Sequence, residues 1–190
     1  MPKPAGTVIL DKKGIQRALT RIAHDILEKN QYSKNLALVG IRSRGAFLAE
    51  RIAKILGETE KTEIPVGFID ITLYRDDIQT RLEQPVIQKS ELMFDVVDKV
   101  IVLVDDVLFT GRTIRAALDE IIDFGRPRAI QLAVLIDRGN RELPIQPDYV
   151  GKAVATTLKE EVVVKLTESD SQDLVTLMKL SKPTKYALKK

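Results

Sequence analysis

The chain has no cysteine, which excludes a disulfide, a thiolate metal site and a thiol nucleophile, and suits a reducing interior. It carries a single histidine, His24, and a lone histidine is more often structural than a ligand. No apolar core follows Met1-Pro2-Lys3-Pro4-Ala5-Gly6 and no run reaches transmembrane length, so the expected location is the cytoplasm. Two phosphate motifs are also missing. Gly40 and Gly45 have P-loop spacing but are followed by Ala46-Phe47 where Lys-Ser/Thr is required, and no Gly-x-Gly-x-x-Gly occurs. There is no internal repeat, and no low-complexity segment before the last dozen residues.

What remains is 190 residues, 44% of them hydrophobic, enough for one domain with a sizeable core, expected over residues 1–178. The net charge of +3 is misleading about partners. Residues 179–190 hold five lysines, Pro183 and no acid, so the body carries 25 basic against 27 acidic side chains. That lysine-rich end reads as a flexible solubilising tail, although such tails also attract polyanions.

Along the body, strands alternate with helices, the signature of a mostly parallel sheet. Residues 12–30 place Ile15, Leu19, Ile22 and Ile26 on one helical face and Arg17, Arg21, His24 and Glu28 on another. Strands are expected at Leu36–Ile41, Ile64–Leu73, Val100–Val104, Ala129–Ile136, Tyr149–Val154 and Glu161–Leu166. Helices are expected at Gly45–Leu56, ending near Gly57, at Arg112–Phe124, and at Ser171–Leu180 with a serine cap. The polar stretch Tyr74–Glu91 reads as a long loop, and such loops in compact domains are often lids.

The apolar run Val100–Val104 ends in Asp105 and Asp106 and passes into Val107-Leu108-Phe109-Thr110-Gly111-Arg112-Thr113. Ligands of open α/β sheets bind beyond the carboxyl ends of the strands. Two acids there can accept hydrogen bonds from vicinal ribose hydroxyls and help to hold Mg²⁺. Backbone N–H groups at the following helix start, with Thr110 and Thr113 beside them, make an anion cradle, and Gly111 permits close approach. A plain strand-to-helix connection with a threonine cap, or the acid pair of a nucleotide hydrolase, is the other reading.

This loop is similar to the ribose-phosphate loop of the type I phosphoribosyltransferases. The resemblance implies their α/β fold, a mostly parallel central sheet flanked by helices, with a small hood that selects the base. Phosphoribosyl pyrophosphate synthases carry a related loop but are usually much longer. The likeness makes Ile41-Arg42-Ser43-Arg44-Gly45 the pyrophosphate loop, its peptide often held cis in the family. It makes Tyr74, Arg75, Asp76, Asp77 and Arg81 part of a loop closing over the substrate, with either Arg75 or Arg81 meeting the pyrophosphate. Purine enzymes usually carry a third acid before the Thr-Gly, where this chain has Phe109, and this argues against a hypoxanthine or guanine substrate.

Asp70–Asp77, Asp105–Thr113, Asp137-Arg138-Gly139-Asn140-Arg141-Glu142-Leu143-Pro144 and Ala18–His24 closely resemble the bacterial pyrimidine operon regulators, and the likeness runs from about Val8 to Leu177. It implies uracil phosphoribosyltransferase activity, with Mg²⁺, phosphoribosyl pyrophosphate, uracil and UMP as ligands, joined to UMP-dependent binding of pyrimidine operon mRNA. Uracil or the base of UMP would rest near Asp137, Arg138, Tyr149 and Val150, although Tyr149 reads equally well as core. Arg17, Thr20, Arg21 and His24 share one helical face and become the candidate RNA surface. Asn140 stands where many family members have histidine, and it cannot become cationic near neutral pH. A dimer or higher homo-oligomer is implied. The alternatives are a non-catalytic UMP-sensing RNA regulator and, more weakly, a purine phosphoribosyltransferase.

Overall fold

The computed structural model describes residues 6–31, 35–71 and 90–180. The loop candidates Tyr74, Arg75, Asp76, Asp77 and Arg81 lie outside the described residues, as does the chain after Leu180.

Five parallel strands form the central sheet. They are β2 (Leu36–Ile41), β3 (Val66–Ile69), β4 (Val100–Leu108), β5 (Ala129–Asp137) and β6 (Tyr149–Ala153), in the spatial order β3-β2-β4-β5-β6. Alternation within β2 and β4 sorts their side chains to opposite faces. Leu36, Leu38, Val100, Val102 and Val104 pack with α1 (Lys12–Asn30) and α2 (Arg44–Glu60). Ala37, Val39, Ile41, Ile101 and Leu103 pack with Ile114, Ala117 and Ile121 of α3 (Arg112–Asp123). The result is the expected three-layer α/β core. The chain leaves β2 toward β3 on one side and returns through β4 on the other, so the sheet's switch point lies between the carboxyl ends of β2 and β4.

A second, antiparallel sheet forms the hood, in the order β1 (Thr7–Asp11), β8 (Leu174–Lys179), β7 (Glu160–Lys165). Val162, Val164, Leu166 and Val175 join the hood to the α1–α2 side of the core. The hood also docks electrostatically. Arg51 of α2 grips Glu168 with Nε at 2.8 Å and Nη2 at 2.6 Å, and Asp173 with both Nη atoms at 2.8 Å. These bonds hold the Asp173 carboxyl down at about 2 and push the Arg51 guanidinium's pKa up.

The structure departs from four sequence expectations. Residues 171–180 do not form a helix: 174–179 are β8, paired with β1 and β7, and Ser171 adopts φ 59° after the short helix α4 (Thr167–Asp170) instead of capping a new one. Pairing on both sides of a strand outweighs a weak helical preference. Gly57 does not end α2, which continues to Glu60 and stops at Lys61 in the left-handed region, φ 53°. Of the expected strand Ile64–Leu73, residues 64–71 are described, and among these the strand covers Val66–Ile69. Lys179, assigned to the tail from sequence, pairs with Glu160 in the hood sheet.

Candidate functional site

β4 runs four residues beyond its apolar core, so Asp105 and Asp106 are strand residues at the switch point. Asp105 is buried and its Oδ1 accepts the Asp106 N–H at 2.9 Å; Asp106 Oδ1 accepts the Val107 N–H at 2.9 Å. Each carboxylate is thereby fixed by the next amide in the chain.

The turn that follows is shaped from outside by the segment after β5. The carbonyl of Leu108 accepts from Arg138 N–H (3.1 Å), that of Phe109 from Arg141 Nη1 (3.0 Å), and that of Thr110 from the N–H groups of Glu142 (2.9 Å) and Leu143 (3.1 Å). A trans peptide is planar, with C=O and the next N–H on opposite edges, so the amides of Phe109, Thr110 and Gly111 face away from that segment. These three amides lead into the start of α3, where successive N–H groups at a helix start can bind an anion. Gly111 caps α3 at φ +94°, a conformation that disfavours any Cβ. The Thr110 hydroxyl accepts from Arg112 N–H at 3.4 Å, Arg112 Nε donates to Glu142 at 2.7 Å, and Thr113 is half-buried in the first turn.

The Ile41–Gly45 loop lies directly alongside. A Cβ on Gly45 would fall 2.5 Å from the Val104 carbonyl oxygen and 3.2 Å from Asp105 Cα, so the two loops touch backbone to backbone. Ile41 is buried at the end of β2, the Arg42–Ser43 peptide is cis, and Ser43 is exposed at the apex. Arg42 Nη2 donates to Glu91 (3.3 Å), and Arg44 Nη2 donates to both carboxylate oxygens of Asp170 in the hood (3.2 Å).

The base candidates separate. Asp137 sits at the end of β5 beside Leu108; its Oδ1 accepts from Gly139 N–H at 2.9 Å and its Oδ2 pairs with Arg141 at 2.7 Å. Arg138 is buried, its guanidinium turned toward Phe109 and the hood, and burial lowers its pKa. Tyr149 and Val150 begin β6, at the end of that strand remote from the nucleotide loops. The Tyr149 ring is core; its hydroxyl donates to Gln131 (2.8 Å) and accepts from Asn30 (3.2 Å), and burial pushes its pKa up to about 12. The part of β6 that reaches the site is Lys152–Ala153, paired with Ile136 and Asp137.

On α1, Arg17, Arg21 and His24 are exposed and Thr20 is half-buried. Arg21 Nη2 also donates to the Val150 (3.2 Å) and Gly151 carbonyls. The site partners that sequence reading did not single out are Glu91 and, in or beside the hood, Thr156, Thr157, Glu160 and Asp170. Only long-range folding brings them to the loops. Glu142, by contrast, lies within a segment whose motif already marked it.

A switch point flanked by an acid-pair loop and a second anion loop, under a small antiparallel hood, is the architecture of a phosphoribosyltransferase, and the family model "Phosphoribosyl transferase domain" matches residues 6–169. The fold is shared with hypoxanthine phosphoribosyltransferases of Staphylococcus aureus (TM-score 0.67, 21% identity, 89% of this chain and 90% of that one) and Trypanosoma cruzi (0.70, 14%, 93% and 98%). Higher identity occurs with proteins named "Bifunctional protein PyrR". The one from Pelotomaculum thermopropionicum is 59% identical over 170 residues, 90% of this chain and 94% of its own. The one from Deinococcus radiodurans is 55% identical over 177 residues, 93% and 96%. The chain belongs to the PyrR family, pyrimidine regulators with uracil phosphoribosyltransferase activity. Among the described residues no helix is long and apolar enough to cross a membrane.

Proposed function

We propose that the chain converts uracil and phosphoribosyl pyrophosphate to UMP and pyrophosphate at the β2–β4 switch point, and that UMP bound there governs its contact with pyrimidine operon mRNA. The observation that carries this reading is the backbone contact of Gly45 with Val104 and Asp105, which sets an anion loop directly against an acid-pair loop. Asp105 and Asp106 accept hydrogen bonds from the ribose hydroxyls. The amides of Phe109, Thr110 and Gly111, with the Thr110 and Thr113 hydroxyls and the start of α3, hold the 5′-phosphate. Ile41–Gly45 receives the departing pyrophosphate, and uracil lies toward Asp137 and the end of β6.

Asp105 and Asp106 offer hard oxygen donors suited to Mg²⁺. Among the described residues no group of three or more acids or histidines could cage a metal, which fits an ion completed by substrate oxygens and water. Mg²⁺ held by these carboxylates would neutralise pyrophosphate charge. In the reaction the uracil N1–C1 bond forms as the C1–oxygen bond to pyrophosphate breaks, pyrophosphate departs with the bonding electron pair, and the N1 proton passes to solvent or to the released pyrophosphate. The side chains' task is alignment and anion stabilisation, with no protein nucleophile.

The RNA surface proposed is the exposed face of α1 with Arg17, Thr20, Arg21 and His24, repeated in a homo-oligomer of two or more copies in the cytoplasm. UMP formation is the test, comparing wild type with Asp106→Asn and uracil with hypoxanthine. Uracil-specific turnover that falls at least 100-fold in the variant supports the reading. Absent turnover, with UMP binding intact by calorimetry, would leave a nucleotide-sensing regulator.

A further inference from the structure

Arg138 touches the hood and the nucleotide loop at once. Its side chain is buried; Nε donates to Thr156 Oγ1 at 3.0 Å, and Nη2 donates to the carbonyls of Thr157 (3.3 Å) and Glu160 (2.6 Å). Its Cζ lies 4.1 Å from the centroid of the Phe109 ring. The same turn is sewn back a second time. Thr156 Oγ1 donates to the Arg138 carbonyl at 3.1 Å and Asn140 Nδ2 donates to the Thr156 carbonyl at 2.9 Å. Phe109 immediately precedes Thr110-Gly111, and its carbonyl is taken by Arg141.

From this arrangement we infer that Arg138 is a positioning residue: anchored in the hood turn Thr156–Glu160, its guanidinium presses on the Phe109 ring and so fixes the peptides that bind the 5′-phosphate. The inference rests on the phosphate reading of the loop given above. The chemistry favours alignment over direct contact with the base. The N–H of Arg138 donates to Leu108, its carbonyl accepts from Thr156 and Asn140, and the Nε and Nη2 atoms of its fork are turned to the hood. A desolvated guanidinium over an aromatic face is a stiff contact, because the planar fork is held by hydrogen bonds on its edge while its face meets the ring. Phe109 thus has a use of its own: an acid there would form an ion pair with Arg138 in place of the stack.

The experiment compares UMP with uridine, which differ only by the 5′-phosphate, by calorimetry and competition on wild type, Arg138→Met, Arg138→Lys, Phe109→Leu and the double variant Arg138→Met/Phe109→Leu. Arg138→Met is expected to weaken UMP by about tenfold and uridine by less than about twofold. Phe109→Leu should reproduce this, the double variant should add little to either single one, and Arg138→Lys should recover part of the loss. Equal weakening of UMP and uridine, or multiplicative effects of the two substitutions, overturns the inference. If Arg138→Met does not fold, Phe109→Leu, which deletes only the ring, decides by the same UMP-to-uridine ratio. Wild type that binds uridine as well as UMP would instead defeat the phosphate reading of the loop, and the inference with it.

Discussion

Gly45→Ala should damage stability and catalysis together, because of what the new methyl group meets. It would lie 2.5 Å from the Val104 carbonyl oxygen, where real Cβ contacts stay beyond 3.0 Å and ordinary ones lie at 3.4 Å or more. The loops must therefore part by about 0.5–0.9 Å. The obstructing atom cannot rotate away, since it belongs to the backbone of β4, paired on both sides by β2 and β5. Overpacking of this kind costs about 1–3 kcal/mol, offset by up to about 1 kcal/mol from the better helix propensity of alanine in α2. A net loss of roughly 1–2 kcal/mol lowers Tm by about 2–8 °C in a chain of this size. The same displacement moves the pyrophosphate loop against Asp105, and a shift approaching 1 Å costs up to about 100-fold in rate. Initial rates at varied phosphoribosyl pyrophosphate, beside calorimetric melting, measure both. Gly57→Ala, whose Cβ meets the Thr62 carbonyl at 2.9 Å near the far end of α2, is the control that disturbs packing and leaves KM alone. A Gly45→Ala protein with wild-type KM, kcat and Tm would refute the claim that the loops are held by backbone contact.

Arg51→Met strands the carboxylates of Glu168 and Asp173 and should cost about 2 kcal/mol by denaturant melting. That is below the roughly 3–5 kcal/mol of a fully buried pair, because the Arg51 side chain keeps 20% exposure. The Asp173 pKa, at about 2, lies below its ordinary value near 4, so the stability it lends is present above pH 4 and lost as pH falls toward 2. Melting from pH 5 to pH 2 should show a shallower acid loss in the variant. Tyr149→Phe should cost about 1 kcal/mol through Asn30 and Gln131 and leave UMP formation unchanged. The Tyr149 pKa, raised from 10 to about 12, gives stability present below pH 10 and lost between pH 10 and pH 12, a loss the variant should lack in alkaline melts. Gly111→Ala forces a Cβ at φ +94° against Leu143 and Ile145, and should cost more than about 1 kcal/mol and raise KM for phosphoribosyl pyrophosphate in steady-state assays.

The central layer was legible because β2, β4 and β5 each hold an apolar run buried on both faces, Leu36–Ile41, Val100–Val104 and Leu132–Ile136, and α1 and α3 repeat apolar residues at helical spacing. Periodicity is local, so these elements appear in the sequence itself. The hood was less legible for the same reason. β1 is five residues with two half-buried side chains, and its identity as a strand depends on β8, more than 160 residues away. The Leu174–Lys179 segment fits a helix or a strand until β1 and β7 flank it. At the candidate site, the acid pair, Gly111 and the Arg42–Ser43 loop stand out in the sequence because their chemistry is consecutive. The duties of Arg44, Arg51 and Arg138 were not, since each finds its partners 18 to 126 residues along the chain.

The α1 face needs a test that distinguishes contact with RNA from support of the fold, and Arg21 is the wrong place to begin. Its guanidinium bonds to the Val150 and Gly151 carbonyls of β6, the edge strand whose other end pairs with Ile136 and Asp137 beside the nucleotide loops. Arg21→Gln would therefore remove a charge and loosen β6 together, and reduced RNA binding would have two explanations. Arg17 and His24 are exposed on the same helix. Arg17→Gln should weaken operon mRNA binding across sequences and reduce the slope of log affinity against log salt by about 1, with Tm and UMP formation at wild-type values. His24→Gln should weaken binding and likewise spare both. If both variants bind RNA as wild type does while Arg21→Gln fails and melts early, α1 acts through its packing on β6, and the RNA surface lies elsewhere.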